Sequence, residues 1–281
     1  MKIQKGDVAL VTGASRGLGM HIARALAGRG LRLVLVARSK LPLDELAAGL
    51  RAAGAEALVL AEDLGDPAAP ARIEAAAVAH YGRIDILVNN AGADHALPFD
   101  RIEPRMMERL LDVNLAAPMR LTRALLPRMI AQRRGHIVNI ASIAGVMAGP
   151  YEESYVAAKH GLVGFTRALR MSARELGWPV GACAICPGFM EDAGMYADMQ
   201  RDFGVSAPRA MGSLPARALG EAVLDCIEHD RPLRYLMRGT PRLAAVLQLI
   251  WPRFYEWLST KLDAAAPFRR VVAARSQGQG I

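Results

Sequence analysis

A tyrosine and a lysine four residues apart, Tyr155 and Lys159 in "SYVAAKHG", stand one helical turn from each other and can address the same small volume. A phenol beside an ammonium group is a proton-transfer pair, although the same spacing also suits a solvated helix face. Near the start, "TGASRGLG" (12–19) carries glycines at 13, 17 and 19 between a β-branched run and an amphipathic one. Backbone without side chains lets a pyrophosphate come close, and the free amides of a helix start point at its negative charge. A strand before and a helix after such a loop is the context a dinucleotide site requires.

Which dinucleotide is expected follows from the end of the second strand. An acid there binds the ribose 2′-hydroxyl, whereas a base accommodates a 2′-phosphate. The strand ends "VARSK", with Ala37 where an acid could stand and Arg38 after it, and Arg16 inside the glycine loop adds a second guanidinium. Bidentate guanidinium geometry matches phosphate, so NADP(H) is expected over NAD(H). The alternative is a pair of solvated surface arginines.

These groups need a scaffold. Short aliphatic runs recur at 8–13, 31–38, 57–64, 84–92, 135–142 and 180–188, with helix-like segments such as 20–30 and 43–54 between them. Continuous apolar strands alternating with amphipathic helices predict a parallel sheet wrapped on both faces, with ligands at the carboxyl ends of its strands. "RPLRYLM" (231–237) supplies a seventh strand after a helix at 215–230. One core fits 281 residues at 52% hydrophobic and 22% charged; with 5% aromatic, Ala, Val, Leu and Ile must build most of it.

The net charge of +8 attracts phosphates or anionic lipid, but the arginines are scattered and form no stripe for nucleic acid. Three cysteines make no disulfide framework and suit a reducing, cytoplasmic setting. In "CAIC" (183–186) the thiols lie three apart in a strand and face opposite sides, so a structural role is expected. His95, His136 and His160 have no metal-ligand spacing, and no metal is expected. The opening residues lack an apolar stretch of signal-peptide length, and the longest late apolar run, 243–251, is too short to span a bilayer.

Six motifs now stand in order: the glycine loop, "NNAG" (89–92), "DVNLAAP" with Asn114, "NIASIAG" with Ser142, the Tyr155–Lys159 pair, and "PG" (187–188). Over residues 7 to about 238 the chain resembles the short-chain dehydrogenase/reductase family. The resemblance implies a Rossmann-like doubly wound sheet and a catalytic set of Asn114, Ser142, Tyr155 and Lys159. Tyr155 would exchange a proton with a carbonyl oxygen, and Ser142 would donate a hydrogen bond to that oxygen. Lys159 would lower the phenol's pKa and hold the nicotinamide ribose, while Asn114 within a long helix would hold a water connecting Lys159 to solvent. Cofactor contacts are implied at Gly13, Ser15, Arg16, Gly17, Leu18 and Gly19, at Arg38, Asp63 and Leu64, at Asn90, Ala91 and Gly92, and at Tyr155, Lys159, Pro187 and Gly188. Asp63 would lie near the adenine, although a helix cap is the competing reading, and Asn90 would steady the sheet. Tyr151, followed four residues later by Tyr155 and not by a lysine, is expected as a substrate-side wall. Asp192 departs from the threonine common after "PG" in the family; an ionised carboxylate accepts but cannot donate to the carboxamide.

Residues 1–238 are expected as the catalytic domain, with a substrate lid at 189–214 containing a short helix. Its Met190, Met195, Tyr196, Met199 and Phe203 suit either an adaptable pocket for a hydrophobic carbonyl or alcohol, or plain packing. An amphipathic helical extension at 239–281 follows, which Pro252 should kink or divide. Its apolar face, with Trp, Tyr and basic neighbours, fits a cover for the substrate mouth or a partner subunit; the alternative is a peripheral membrane helix. The family resemblance also implies a homodimer or homotetramer. The expected function is an NADP-dependent carbonyl reductase or alcohol dehydrogenase; a non-catalytic NADP-binding regulator and a membrane-surface interaction protein are the alternatives.

Overall fold

Strands buried on both faces can satisfy their backbone groups only through neighbouring strands, so the apolar runs assemble side by side. The computed structural model describes residues 1–208 and 211–276; the expected lid and tail therefore each include positions outside the described residues, 209–210 and 277–281. The first half runs β1 (Val8–Thr12), α1 (Leu18–Gly28), β2 (Arg32–Ala37), α2 (Lys40–Ala52), β3 (Ala57–Ala61), α3 (Ala69–Tyr81), β4 (Ile86–Asn89), α4 (Pro104–Leu111), α5 (Ala117–Ala131) and β5 (Gly135–Ile140). Then follow α6 (Glu153–Glu175), β6 (Val180–Pro187), β7 (Phe189–Met190), α7 (Met195–Phe203), β8 (Ser213–Leu214), α8 (Arg217–Glu228) and β9 (Leu233–Leu236). Three helices close the chain: α9 (Pro241–Ile250), α10 (Pro252–Lys261) and α11 (Ala266–Ser276).

Seven strands form one parallel sheet in the order β3-β2-β1-β4-β5-β6-β9. Successive residues serve opposite faces: Ala9 and Val11 meet α1, α2 and α8, while Val8 and Leu10 meet α3 and α5. Cys183 and Cys186 of β6 follow the same rule and are buried, free thiols in separate clusters. Each large aliphatic side chain so buried contributes roughly 1.5–3 kcal/mol. The chain steps outward from β1 to β3 and returns to β4 on the other side, which opens a crevice at the carboxyl ends of β1 and β4.

Asn114 does not sit in one continuous helix. The helix α4 ends at Leu111, a π-turn occupies Asp112–Ala116, and α5 begins at Ala117. Pro118 lacks the amide that would extend the regular ladder across this point. The Asn114 amide donates to the carbonyls of Leu110 (2.9 Å) and Ala93 (2.7 Å), which ties the widened turn to the loop after β4.

Pro252 divides the tail into α9 and α10, as its missing amide requires. The last helix turns back: Val271 is fully buried against a cluster that includes Ala96, Tyr196 and Val205.

Candidate active site

The glycine loop lies where β1 meets α1, and its geometry explains its composition. Gly13 and Gly17 have φ of +65° and +59°, conformations that side chains disfavour. A Cβ on Gly19 would stand 2.1 Å from the Gly13 carbonyl oxygen, and one on Gly13 would stand 2.8 Å from the Ala91 Cα. Neither position can hold any larger residue. The N-terminus of α1 has no side-chain cap and no acid in its first turn, so its amides and dipole remain available to an anion. Asn90 Nδ2 donates to the Thr12 carbonyl (2.9 Å), and the Thr12 hydroxyl accepts from the amides of Asn90 and Ala91 (both 3.0 Å), locking β1 to β4.

A cleft of about 710 Å³ follows this loop and is lined by nearly every residue expected from the sequence. Ser15, Arg16 and Leu18 rim it beside Arg38, Asp63 and Leu64; Asn90, Ala91 and Gly92 form its floor; Ser142, Tyr155, Lys159, Pro187 and Gly188 line the far side. Gly19 and Asn114 lie behind this lining: Asn114 Oδ1 would be 2.9 Å from a Cβ on Gly92. Arg38 is exposed and, among the described residues, forms no ion pair. Arg16 instead reaches across to Asp198 of α7 (2.7 Å), so it joins the glycine loop to the segment expected as a lid. Asp63 caps no helix; its carboxylate closes a local turn by accepting from the Gly65 amide (3.0 Å).

The turn after β5 presents Ser142, whose hydroxyl accepts from the Ala144 amide (3.1 Å) and meets the phenol of Tyr155. Lys159 Nζ lies 5.6 Å from the centre of the Tyr155 ring and donates to the Ile140 carbonyl (3.0 Å). Burial pushes the Lys159 ammonium down to about 8, against the opposing influence of Cys186 and Asp94. It therefore remains mostly cationic at neutral pH. The phenol departs from expectation. Burial raises Tyr155 well above its ordinary value, the charge of Asp94 adds to that, and only the Ser142 hydrogen bond opposes it. A phenolate in a desolvated pocket loses more hydration than a cation across the ring restores.

Asp94 and Glu152 form a carboxyl pair beside this phenol that the sequence reading missed. Burial raises the Asp94 carboxyl and, together with the charge of Asp94, holds Glu152 well above the carboxylate range. One Asp94 oxygen is buried with no hydrogen-bond partner. Glu152 reads in sequence as an ordinary acid at a helix start; the one available signal was its place one turn before Tyr155. Arg275 of α11 also reaches this region, donating to the Ala96 carbonyl (2.9 Å). Among the described residues no group of His, Cys, Asp and Glu could hold a metal ion.

Tyr196, which lines the cleft, packs edge-on against Phe189 (4.8 Å) and joins Tyr151, Met199, Phe203 and Phe268 in an apolar cluster behind that lining. Tyr151, expected as a substrate-side wall, packs in this cluster and is not among the residues that line the cleft. Met195 and Met190 both line the cleft, and Met190 also packs into the core on the α1 side of the sheet. Asp192 accepts from the Ala216 amide (2.6 Å) and so holds the loop after β7 to the start of α8.

The sequence pattern of the short chain dehydrogenase family matches residues 7–203. The chain belongs to that family. Among its relatives in the family is the ketoacyl reductase HetN of Nostoc sp. (strain PCC 7120), 36% identical over 224 residues, which cover 80% of this chain and 76% of the relative. A Burkholderia phymatum family member solved in complex with NAD superposes with a TM-score of 0.77 at 27% identity, covering 89% of this chain and 94% of the other. The F189W actinorhodin polyketide ketoreductase with NADPH gives 0.76 at 30% identity, covering 86% and 99%. The family pattern ends at Phe203, so α11, which packs on the Tyr196 cluster through Phe268 and Val271, lies outside it. A short-chain oxidoreductase binds a nicotinamide cofactor, and the glycine cradle that no Cβ could enter fits such a group here.

Proposed function

We propose that the chain is an NADPH-dependent reductase of an apolar ketone, with 3-ketoacyl compounds the leading substrate class. The observation that carries this reading is the convergence of Ser142, Tyr155 and Lys159 on a cleft lined also by Arg16 and Arg38 and by the apolar side chains of Met190, Met195 and Tyr196. Nothing acidic stands at the end of β2 to favour a free 2′-hydroxyl. The ketoreductase relatives support the substrate class.

In this reading the amides of the glycine loop and α1 bind the pyrophosphate, Arg38 holds the 2′-phosphate, and Asn90 keeps the floor rigid. Bound NADPH supplies the hydride that adds to the carbonyl carbon. Tyr155 delivers its proton to the carbonyl oxygen, and Ser142 donates a hydrogen bond as charge develops there. Lys159 binds the ribose and, through water held at Asn114, restores the proton to Tyr155. The expected assembly is a homodimer or homotetramer through α5 and α6, whose outer faces expose Met119 and Met171.

Tyr155→Phe removes the donor but not the cradle, so turnover of NADPH with a ketone panel should fall by about 10²–10⁴ while NADPH still binds. Unchanged turnover rejects the assignment. Arg38→Asp should move the cofactor preference toward NADH by about tenfold to a hundredfold in kcat/KM, the cost of one charge-assisted contact. A preference that stays put places the phosphate site elsewhere.

A further inference from the structure

The helices α9 and α10 keep their apolar side chains in water. Leu249 and Ile250 are 82% and 77% exposed, and Trp251, Trp257 and Leu243 are more than half exposed. Trp251, Phe254 and Trp257 stack in a row at 5.1 and 5.5 Å across the Pro252 joint. Three exposed cations, Arg242, Arg253 and Lys261, are interleaved with them, and among the described residues none of the three forms an ion pair. Glu256 is the one acid in this helix pair. The pair is also held in a fixed place: Gln248 accepts from the Ala148 amide (2.9 Å) and Tyr255 donates to the Ala148 carbonyl (3.3 Å). Ala148 lies in the loop that joins Ser142 to the helix of Tyr155, and those two residues line the cleft.

We propose that α9 and α10 form a docking surface for an anionic bilayer, which seats the substrate side of the cleft on the membrane. This deepens the reading of an apolar ketone substrate, because a lipid surface is where such a compound partitions. Bulky apolar groups, interfacial tryptophans and unpaired cations on one helix pair match a headgroup boundary that is apolar beneath and negative above. No helix of the described residues is long and apolar enough to cross a membrane, so the contact lies on the surface. A second copy of the chain fits less well, since a twofold contact would bring together two faces that each carry Arg242, Arg253 and Lys261 against the single acid Glu256.

The full chain is sedimented with vesicles of phosphatidylcholine alone or mixed equally with phosphatidylglycerol, at low and high salt. Binding to the anionic vesicles that weakens with salt is expected. Arg253→Ala/Lys261→Ala should weaken it by about thirtyfold, and Leu249→Asp/Ile250→Asp should reduce it at least as far. Because those side chains are exposed, the double aspartate should keep the wild-type melting temperature and its turnover of a water-soluble ketone, while losing any stimulation by vesicles carrying a long-chain ketone. Absence of vesicle binding, or binding indifferent to both variants, overturns the proposal. So does a dimer that the double aspartate dissolves in a protein that ignores vesicles. Binding without turnover of any ketone would reject the catalytic reading and leave the docking intact; turnover without binding does the reverse.

Discussion

At the scale of single residues, the site is an exercise in desolvation. Lys159, Tyr155, Asp94 and Glu152 are all held in a small volume with little water, and each is pushed toward its neutral form. The two carboxyls have the clearest consequence for stability. Their folded pKa values lie above those of the unfolded chain, so the native state retains protons that the unfolded state releases. That stabilisation is complete below the ordinary carboxylate range and is lost as pH rises toward the folded values. Glu152→Gln removes the group with the larger rise. Urea unfolding at pH 5 and pH 8 should then show a smaller loss of stability with rising pH in the variant than in the wild type. Equal slopes would mean that the pair is solvated. The Tyr155–Lys159 spacing was readable because a helix places residues four apart on one face whatever surrounds it. The carboxyl pair was not, since Asp94 and Glu152 meet only when the loop after β4 reaches the start of α6.

At the scale of elements, strand and helix placement follows from periodicity, and departures occur where a distant group intervenes. The run "DVNLAAP" keeps helical periodicity, yet the chain forms a π-turn because Asn114 bonds to Ala93 and Pro118 cannot extend the ladder. The glycine loop shows the opposite case: its spacing announces the turn, and the structure adds why no other residue fits. Gly19→Ala would force its Cβ into the Gly13 carbonyl, 2.1 Å away, and so shift α1 from β1. Dinucleotide binding measured by fluorescence should fall by at least about tenfold, and the midpoint of thermal unfolding should drop by roughly 2–4 °C for each kcal/mol of strain. Binding at wild-type strength would show that the loop relaxes freely. Asp192 belongs to this scale too: its carboxylate holds one element to the next, a use that its position after "PG" did not reveal.

At the scale of the whole molecule, the tail is two devices and not one. The helix α11 is integrated into the fold, with Val271 fully buried against Tyr196 and Val205, while α9 and α10 present their apolar side chains outward. Sequence periodicity left a cover for the substrate mouth or a partner subunit, and a membrane helix, as alternatives for the entire tail; the fold buries α11 and leaves α9 and α10 exposed, so the alternatives apply to its parts separately. Val271→Asp would bury a charge in an apolar cluster and should release α11 from α7, because the desolvation cost exceeds what one helix face can offset. The sheet and glycine loop lie elsewhere, so the expected result is a several-fold higher KM for an apolar ketone with NADPH affinity unchanged. A parallel loss of cofactor binding would show that the helix supports the whole site.

What the sequence determined by itself is whatever depends on short-range geometry: the order of strands and helices, the glycine loop, the paired Tyr155 and Lys159, and the break at Pro252. Steric and hydrogen-bonding rules over a few residues act the same way in any fold. What only the tertiary structure decided is which groups lose their water and which keep it. Burial is a sum over atoms from remote parts of the chain, and for that reason the raised carboxyls, the elevated phenol and the different packing of the two parts of the tail emerge only once those parts are packed together.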